Sequence, residues 1–241
     1  MQNFGKYLGE GVLYSRYKKP GWREYIMPDR LELTCMSSAG LPPQTRLLTA
    51  YQINLIKIRK NRAPYDRWYR LVRQKADQPV LPRYGRVTEI ARQAKACALL
   101  YCIEKDPAYL HKTIDLLDRL PEPPAIADLE GGKPNSGWGD YLQSAEAVPS
   151  LCVTYDLLQE ELPPQIRVDT KRKVLEVVEQ LVNAFKITPR NNHVTVMAIA
   201  VCTSALTFDN IGEYLYYSRN DLFRSGIDQL SQIAKPGPRG P

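Results

Sequence analysis

From about residue 44 to residue 235 the apolar positions fall at helical intervals. Leu47, Leu48, Tyr51, Leu55 and Ile58 recur mostly at three- and four-residue steps, which predicts a helix with one buried stripe. Pro64 suits the first turn of a second helix carrying Trp68, Leu71 and Val72, with Trp68 expected in the core. Over Val87–Lys105, Ile90, Ala91, Ala94, Ala98 and Tyr101 share a face, and further apolar residues occupy the other side. Asp106-Pro107 stops that helix and caps the next, Ala108 to Leu120, because the Asp106 carboxylate can accept orphan backbone N–H groups. Tyr141–Glu160 reads as a helix bent at Pro149, and Pro163-Pro164 opens an amphipathic one reaching about Lys186. Asn192–Phe208 is apolar nearly all round, the mark of a helix surrounded by other protein. A Tyr-rich connection with Tyr214, Tyr216 and Tyr217 then leads to a last helix over Asp221–Ile233.

Strand signals are nearly absent. Helices apolar on all sides alternate with amphipathic ones, which suggests a buried inner layer and a half-wet outer layer, as in an α/α toroid or an α-solenoid. No fixed repeat is present, which favours the toroid. The predicted fold is therefore all-α: an incomplete α/α toroid over 44–235, an irregular aromatic arm over 1–43 and a short tail over 236–241. The arm carries Tyr7, Tyr14, Tyr17, Trp22 and Tyr25, expected to hold it on the body by aromatic burial.

Composition narrows the class. Of 241 residues 44% are apolar and 24% charged, ordinary for a globular chain and unlike a disordered one. No run reaches the roughly 20 apolar residues of a membrane span, and Met1–Pro20 lacks a secretory leader, so the chain is either intracellular or has lost one. The net charge of +7 is spread, with local density at Lys57–Arg62 and Lys171–Lys173, both read as solvated helix faces or as part of a field attracting polyanions. Neither a nucleic-acid partner nor a membrane partner is expected. Five cysteines without a CxxC pair and two histidines argue against a disulfide framework and a structural metal, and no cofactor is expected. His111 is expected at the surface.

One constellation carries candidate chemistry, Arg190-Asn191-Asn192-His193 at the opening of the most apolar helix. Either asparagine can be a simple cap. His193 in the first turn has a second reading, since a helix N-terminus disfavours imidazolium and the neutral ring is the form that accepts a proton. The free first-turn N–H groups also suit an anion. Pro121–Gly139 is long for a connection in a compact domain, which makes it a candidate functional loop. Trp138 and Tyr141 flank it and can stack on sugar rings, or pack beneath the loop; Gln143 and Glu146 can reach sugar hydroxyls.

Asn191-Asn192-His193, followed by an apolar run with Ala198, Ala200 and Ala205, resembles the Asn-Asn-His helix of the alginate lyase domain family, whose heparinase II/III-like relatives share a helical toroid. Asn135-Ser136-Gly137-Trp138-Gly139, with Tyr155-Asp156-Leu157-Leu158 downstream, is similar to the family's substrate-side loop and helix. Asp106-Pro107-Ala108-Tyr109 resembles its hairpin corner, and Arg219-Asn220-Asp221-Leu222-Phe223 and Gly226-Ile227-Asp228-Gln229 resemble the segment after the Asn-Asn-His helix. The resemblance implies β-elimination at a uronate of an acidic, alginate-like polysaccharide. Asn192 would neutralise the uronate carboxylate and His193 would be the base or its partner. Asn191, Arg190, Trp138, Tyr141 and Gln143 would contact the sugar. It further implies a secreted or periplasmic enzyme of which this chain is the N-terminal part, with the catalytic tyrosine beyond Pro241. Two other readings stand beside it: a non-catalytic helical scaffold binding carbohydrate or protein, and a glycoside hydrolase using a carboxylate pair such as Asp140 and Glu146.

Overall fold

A computed structural model describes residues 47–79, 87–123, 137–184, 192–209, 211 and 219–234. The expected arm over 1–43, most of the loop before Gly137, Arg190, Asn191, the tyrosines of the Tyr-rich connection and the tail over 236–241 lie outside these residues. Among the described residues the chain is all-helical, with no strand and eight helices. These are α1 (Ala50–Arg59), α2 (Tyr65–Asp77), α3 (Val87–Glu104), α4 (Pro107–Asp118), α5 (Tyr141–Leu158), α6 (Pro164–Ala184), α7 (Asn192–Thr207) and α8 (Arg219–Ala234).

The helix ends follow from short polar residues and prolines. Thr49 and Gln52 form a reciprocal capping box at the start of α1. Asp106 accepts the Ala108 N–H at 2.9 Å ahead of Pro107, and Asp140 accepts the Gln143 N–H at 2.8 Å at the start of α5. Lys105 closes α3 in the left-handed region, with φ 60°, and its N–H reaches the Tyr101 carbonyl at 2.8 Å. α5 runs unbroken through Pro149.

Helices α3, α5 and α7 form an inner row, α5 packing on both of its neighbours. Their side-chain contacts fix the direction. Arg92 pairs with Glu146 at 3.3 Å near the starts of α3 and α5, and the Cys102 thiol points to the Leu157 carbonyl near their ends. Cys152 meets Ser204 at 3.5 Å, and the Tyr155 and Phe208 rings stand edge to face at 4.9 Å. The three helices are therefore parallel and in step. Residues as small as Ala94, Ala98, Ala145, Ala147, Ala200 and Ala205, all buried, let them approach closely.

The outer helices run the other way. α4 packs on α3, α6 on α5 and α7, and α8 on α7. Lys171 reaches the Asp209 carbonyl just past α7, which sets α6 antiparallel to it. Gly226 of α8 sits where a Cβ would lie 2.4 Å from Cys202 Sγ and 3.0 Å from the Ala198 carbonyl oxygen, so only hydrogen fits. Lys173 of α6 is buried, and its ammonium donates to the Leu120 carbonyl and to Asp169, both at 2.8 Å. Arg172 beside it pairs with Glu122, Asp169 and Glu176. The basic run at 171–173 is thus structural.

α1 and α2 complete the described fold at one side of the row. α2 lies antiparallel to α3, with Tyr69 and Arg73 on Glu104 and Lys75 on Glu89 at 2.6 Å. α1 lies toward the far ends of the inner helices: Asp156 of α5, itself buried, accepts the Leu47 and Leu48 N–H groups at 3.0 and 3.3 Å, and Lys60 lies 3.7 Å from Glu104. Here two expectations fail. No residue of α1 is fully buried, and of its stripe Leu47, Leu48 and Leu55 are half-buried while Tyr51 and Ile58 are exposed; Trp68 is exposed instead of core. Ile199 of α7 is likewise exposed, because the inner row leaves one side open.

Gly226→Val should cost about 1–3 kcal/mol by overpacking α7 against α8, read as a lower Tm, whereas an unchanged Tm would contradict the close approach. Acid should also destabilise the fold. Burial raises the Glu104 and Asp169 carboxyls, but hydrogen bonds from Tyr69 and Arg73 to the first, and from Lys173 and Arg172 to the second, outweigh it and hold both low. Stability from these pairs is complete above the ordinary values of 4.5 and 3.8 and is lost as pH falls below them, so Tm measured against pH should decline in that range.

Candidate functional site

Because α3, α5 and α7 are parallel, their N-terminal turns gather at one end of the inner row, and this end holds the described candidate residues. His193 is exposed in the first turn of α7, while Val194, Met197 and Ala198 behind it are buried. Asn192 is the first residue of the helix, and its side chain lies outside the described residues.

The start of α5 is tied down firmly. The Val87 N–H donates to the Gly137 carbonyl at 2.9 Å, fastening the entry of α3 to that of α5. Gly139 turns the chain with φ 72°, and a Cβ there would fall 1.8 Å from Gln143 Oε1, so the Gln143 side chain folds over the glycine. Tyr141 is half-buried against the core. Trp138 departs from the stacking expectation. It is fully buried, its indole N–H donates to the Pro121 carbonyl at 2.9 Å, and Ser144 Oγ donates to its carbonyl at 3.3 Å. A ring with no exposed face cannot cover a sugar. Trp138 fastens the loop exit to the body instead.

Each inner helix leaves one stripe less covered, at positions recurring every three or four residues: Arg92, Lys95 and Leu99 on α3, Leu142, Glu146, Pro149 and Val153 on α5, Val196, Ile199 and Thr203 on α7. The Arg92–Glu146 pair shows that the first two stripes adjoin. Arg92 also pairs with Glu89 at 3.1 Å. Lys95, one turn on, is half-buried and has no ion-pair partner among the described residues. Burial and the neighbouring Arg92 lower its pKa, which marks a cation held where an anion would relieve it. Sequence reading passed over Arg92 and Lys95. The signal was available in their spacing on a helix otherwise apolar on all sides.

The carboxylates named for a hydrolase are engaged, Asp140 in capping α5 and Glu146 with Arg92. His111 is exposed. Among the described residues no group of three His, Cys, Asp or Glu side chains is placed to hold a metal ion, and no helix is long and apolar enough to cross a membrane. No protein-family model matches the chain, and no curated protein matches it.

The three buried cysteines, Cys97, Cys152 and Cys202, are not nucleophiles. Burial pushes the Cys97 thiol up to about 11 and those of Cys152 and Cys202 up to about 12. Iodoacetamide at neutral pH, read by peptide mass spectrometry, should leave these three unmodified in the native protein and alkylate them on unfolding. Rapid native labelling would contradict their placement.

Proposed function

We propose that the inner row is an arc of an α/α toroid and that its shared N-terminal end is the substrate end of a lyase acting on a uronate-containing polysaccharide. The observation that supports this reading is an exposed His193 in the first turn of a largely buried helix, following an asparagine. It is also the point at which the chain resembles the Asn-Asn-His lyases. Lys95, half-buried on the open side of the row without an ion-pair partner among the described residues, adds a positive charge that suits an acidic polymer.

The chemistry fits these groups. A uronate C5–H is weakly acidic, because removing it adds charge beside an existing carboxylate. The Asn192 amide, with first-turn N–H groups, stabilises the enolate-like form of that carboxylate. The His193 imidazole takes the C5 proton. The C5 electron pair forms the C4–C5 double bond as the C4–O4 bond breaks, and O4 leaves with a proton, supplied by a tyrosine in the family that the chain resembles. The products are an unsaturated uronate and a new hydroxyl end. Because Asp140 and Glu146 are engaged elsewhere, the two-carboxylate hydrolysis is the weaker reading.

Incubation of the full-length protein with alginate, glucuronan and heparan-type polymers should produce the ultraviolet absorbance of an unsaturated uronate with at least one of them. His193→Ala should lower the rate about 10²–10⁴-fold, the usual contribution of a general base, with little change in Tm. New reducing ends without the chromophore would indicate hydrolysis, and binding without either product would indicate a scaffold.

A further inference from the structure

The α1–α2 hairpin is unlike the rest of the chain. Residues 47–79 hold eight Lys and Arg against two Asp, a net +6 out of +7 for the whole protein. Four of these cations are engaged: Lys60 and Arg73 with Glu104, Lys75 with Glu89, Arg70 with Asp66. The other four, Lys57, Arg59, Arg62 and Arg67, are exposed and have no carboxylate partner among the described residues. The same hairpin exposes large apolar side chains, Tyr51 at 71%, Ile58 at 56%, Trp68 at 59% and Leu71 at 55%. Tyr51 and Ile58 are seven residues apart on one face of α1. Trp68 and Leu71 are three apart on α2. At the corner between the helices, Arg59 lies 5.7 Å from the Tyr65 ring, which meets Trp68 edge to face at 5.7 Å.

An isolated ten-residue helix is marginal in water, and α1 is anchored only through half-buried side chains such as Ile53, Leu55 and Ile56, with the Tyr51–Ile58 face left exposed. That face therefore needs a cover, and its charge selects among them. A second copy of the chain would set +6 against +6. Residues 1–46 carry seven Lys and Arg against four Asp and Glu, so they add positive charge instead of cancelling it. A sugar or nucleic-acid chain would meet the cations and aromatic rings but leave Ile58 and Leu71 in water. An anionic bilayer meets all three, the aliphatic side chains entering the acyl boundary, Tyr51 and Trp68 at headgroup depth and the cations on lipid phosphates. We propose that the α1–α2 hairpin is a docking surface for an anionic lipid membrane, on which it lies without crossing. This revises the expectation of no membrane partner, which rested on the lack of a spanning segment. It does not depend on the reaction assigned to His193, since α1 sits toward the opposite end of the inner row.

Flotation of the whole protein with vesicles of phosphatidylglycerol in phosphatidylcholine, against phosphatidylcholine alone, tests it. The protein should float with the anionic vesicles only. Lys57→Gln/Arg62→Gln/Arg67→Gln should weaken that binding at least about tenfold, given what each cation contributes at an anionic surface. Ile58→Ser/Leu71→Ser should weaken it too, with Tm and circular dichroism unchanged. Equal binding to both vesicles would overturn the proposal. So would a Tm loss in the Ile58→Ser/Leu71→Ser protein, which would show that its own chain covers the face. Full vesicle binding by that variant would overturn the insertion of the aliphatic side chains, and binding to single-stranded DNA or alginate through the same three cations without any to vesicles would assign the surface to a soluble polyanion.

Discussion

Three parallel helices at close range are the constraint on which the rest of the structure depends. Parallel neighbours are electrostatically unfavourable, because their dipoles align and each N-terminus carries about half a positive charge. Small buried side chains on α3, α5 and α7 overcome this by allowing extensive van der Waals contact. The antiparallel outer helices then lay opposing dipoles alongside, and Gly226 lets α8 press against α7 where any side chain would collide. The arrangement accumulates positive potential at one end of the row. An anionic ligand is favoured there before any charged side chain is counted.

The two ends of the row consequently have different chemistry. At the N-terminal end stand His193, Tyr141 and Gln143, with Arg92 and Lys95 on the adjoining stripe. At the C-terminal end the fold uses carboxylates. Asp156 receives the two backbone N–H groups before α1, and Glu104 collects Tyr69, Arg73 and Lys60. These contacts tie the basic hairpin to the body through a few of its cations and leave the others facing water. A reaction at one end and a docking surface toward the other need not compete for the same ligand.

Much of the helix layout was legible in the sequence, because prolines and short polar caps act locally. Asp106-Pro107, Asp140 and Pro163-Pro164 mark helix starts through hydrogen bonds and φ restraints that need no tertiary partner. Periodicity, in contrast, reports that a helix has an apolar face and not what the face meets. Tyr51, Ile58 and Trp68 therefore read as core and prove exposed, since no described element packs over that side of the hairpin. Trp138 had two readings, stacking on sugar or packing beneath its loop, and the second holds. Its place beside a long loop does not say which way the ring turns; the indole N–H finds the Pro121 carbonyl and the ring turns inward. The spacing of Arg92 and Lys95 on an apolar helix was legible, but the half-burial of Lys95 was not, because it depends on which neighbours the helix acquires.

The parallel register of α5 and α7 carries both the shared N-terminal end and everything assigned to it. Pulsed electron paramagnetic resonance on spin labels at Leu142 paired with Thr195, and at Leu142 paired with Leu206, measures it directly. At 1.5 Å per residue, the account predicts that the first distance is the shorter by on the order of 10 Å. The reverse ordering would make the helices antiparallel, separate His193 from the start of α5 and remove the site.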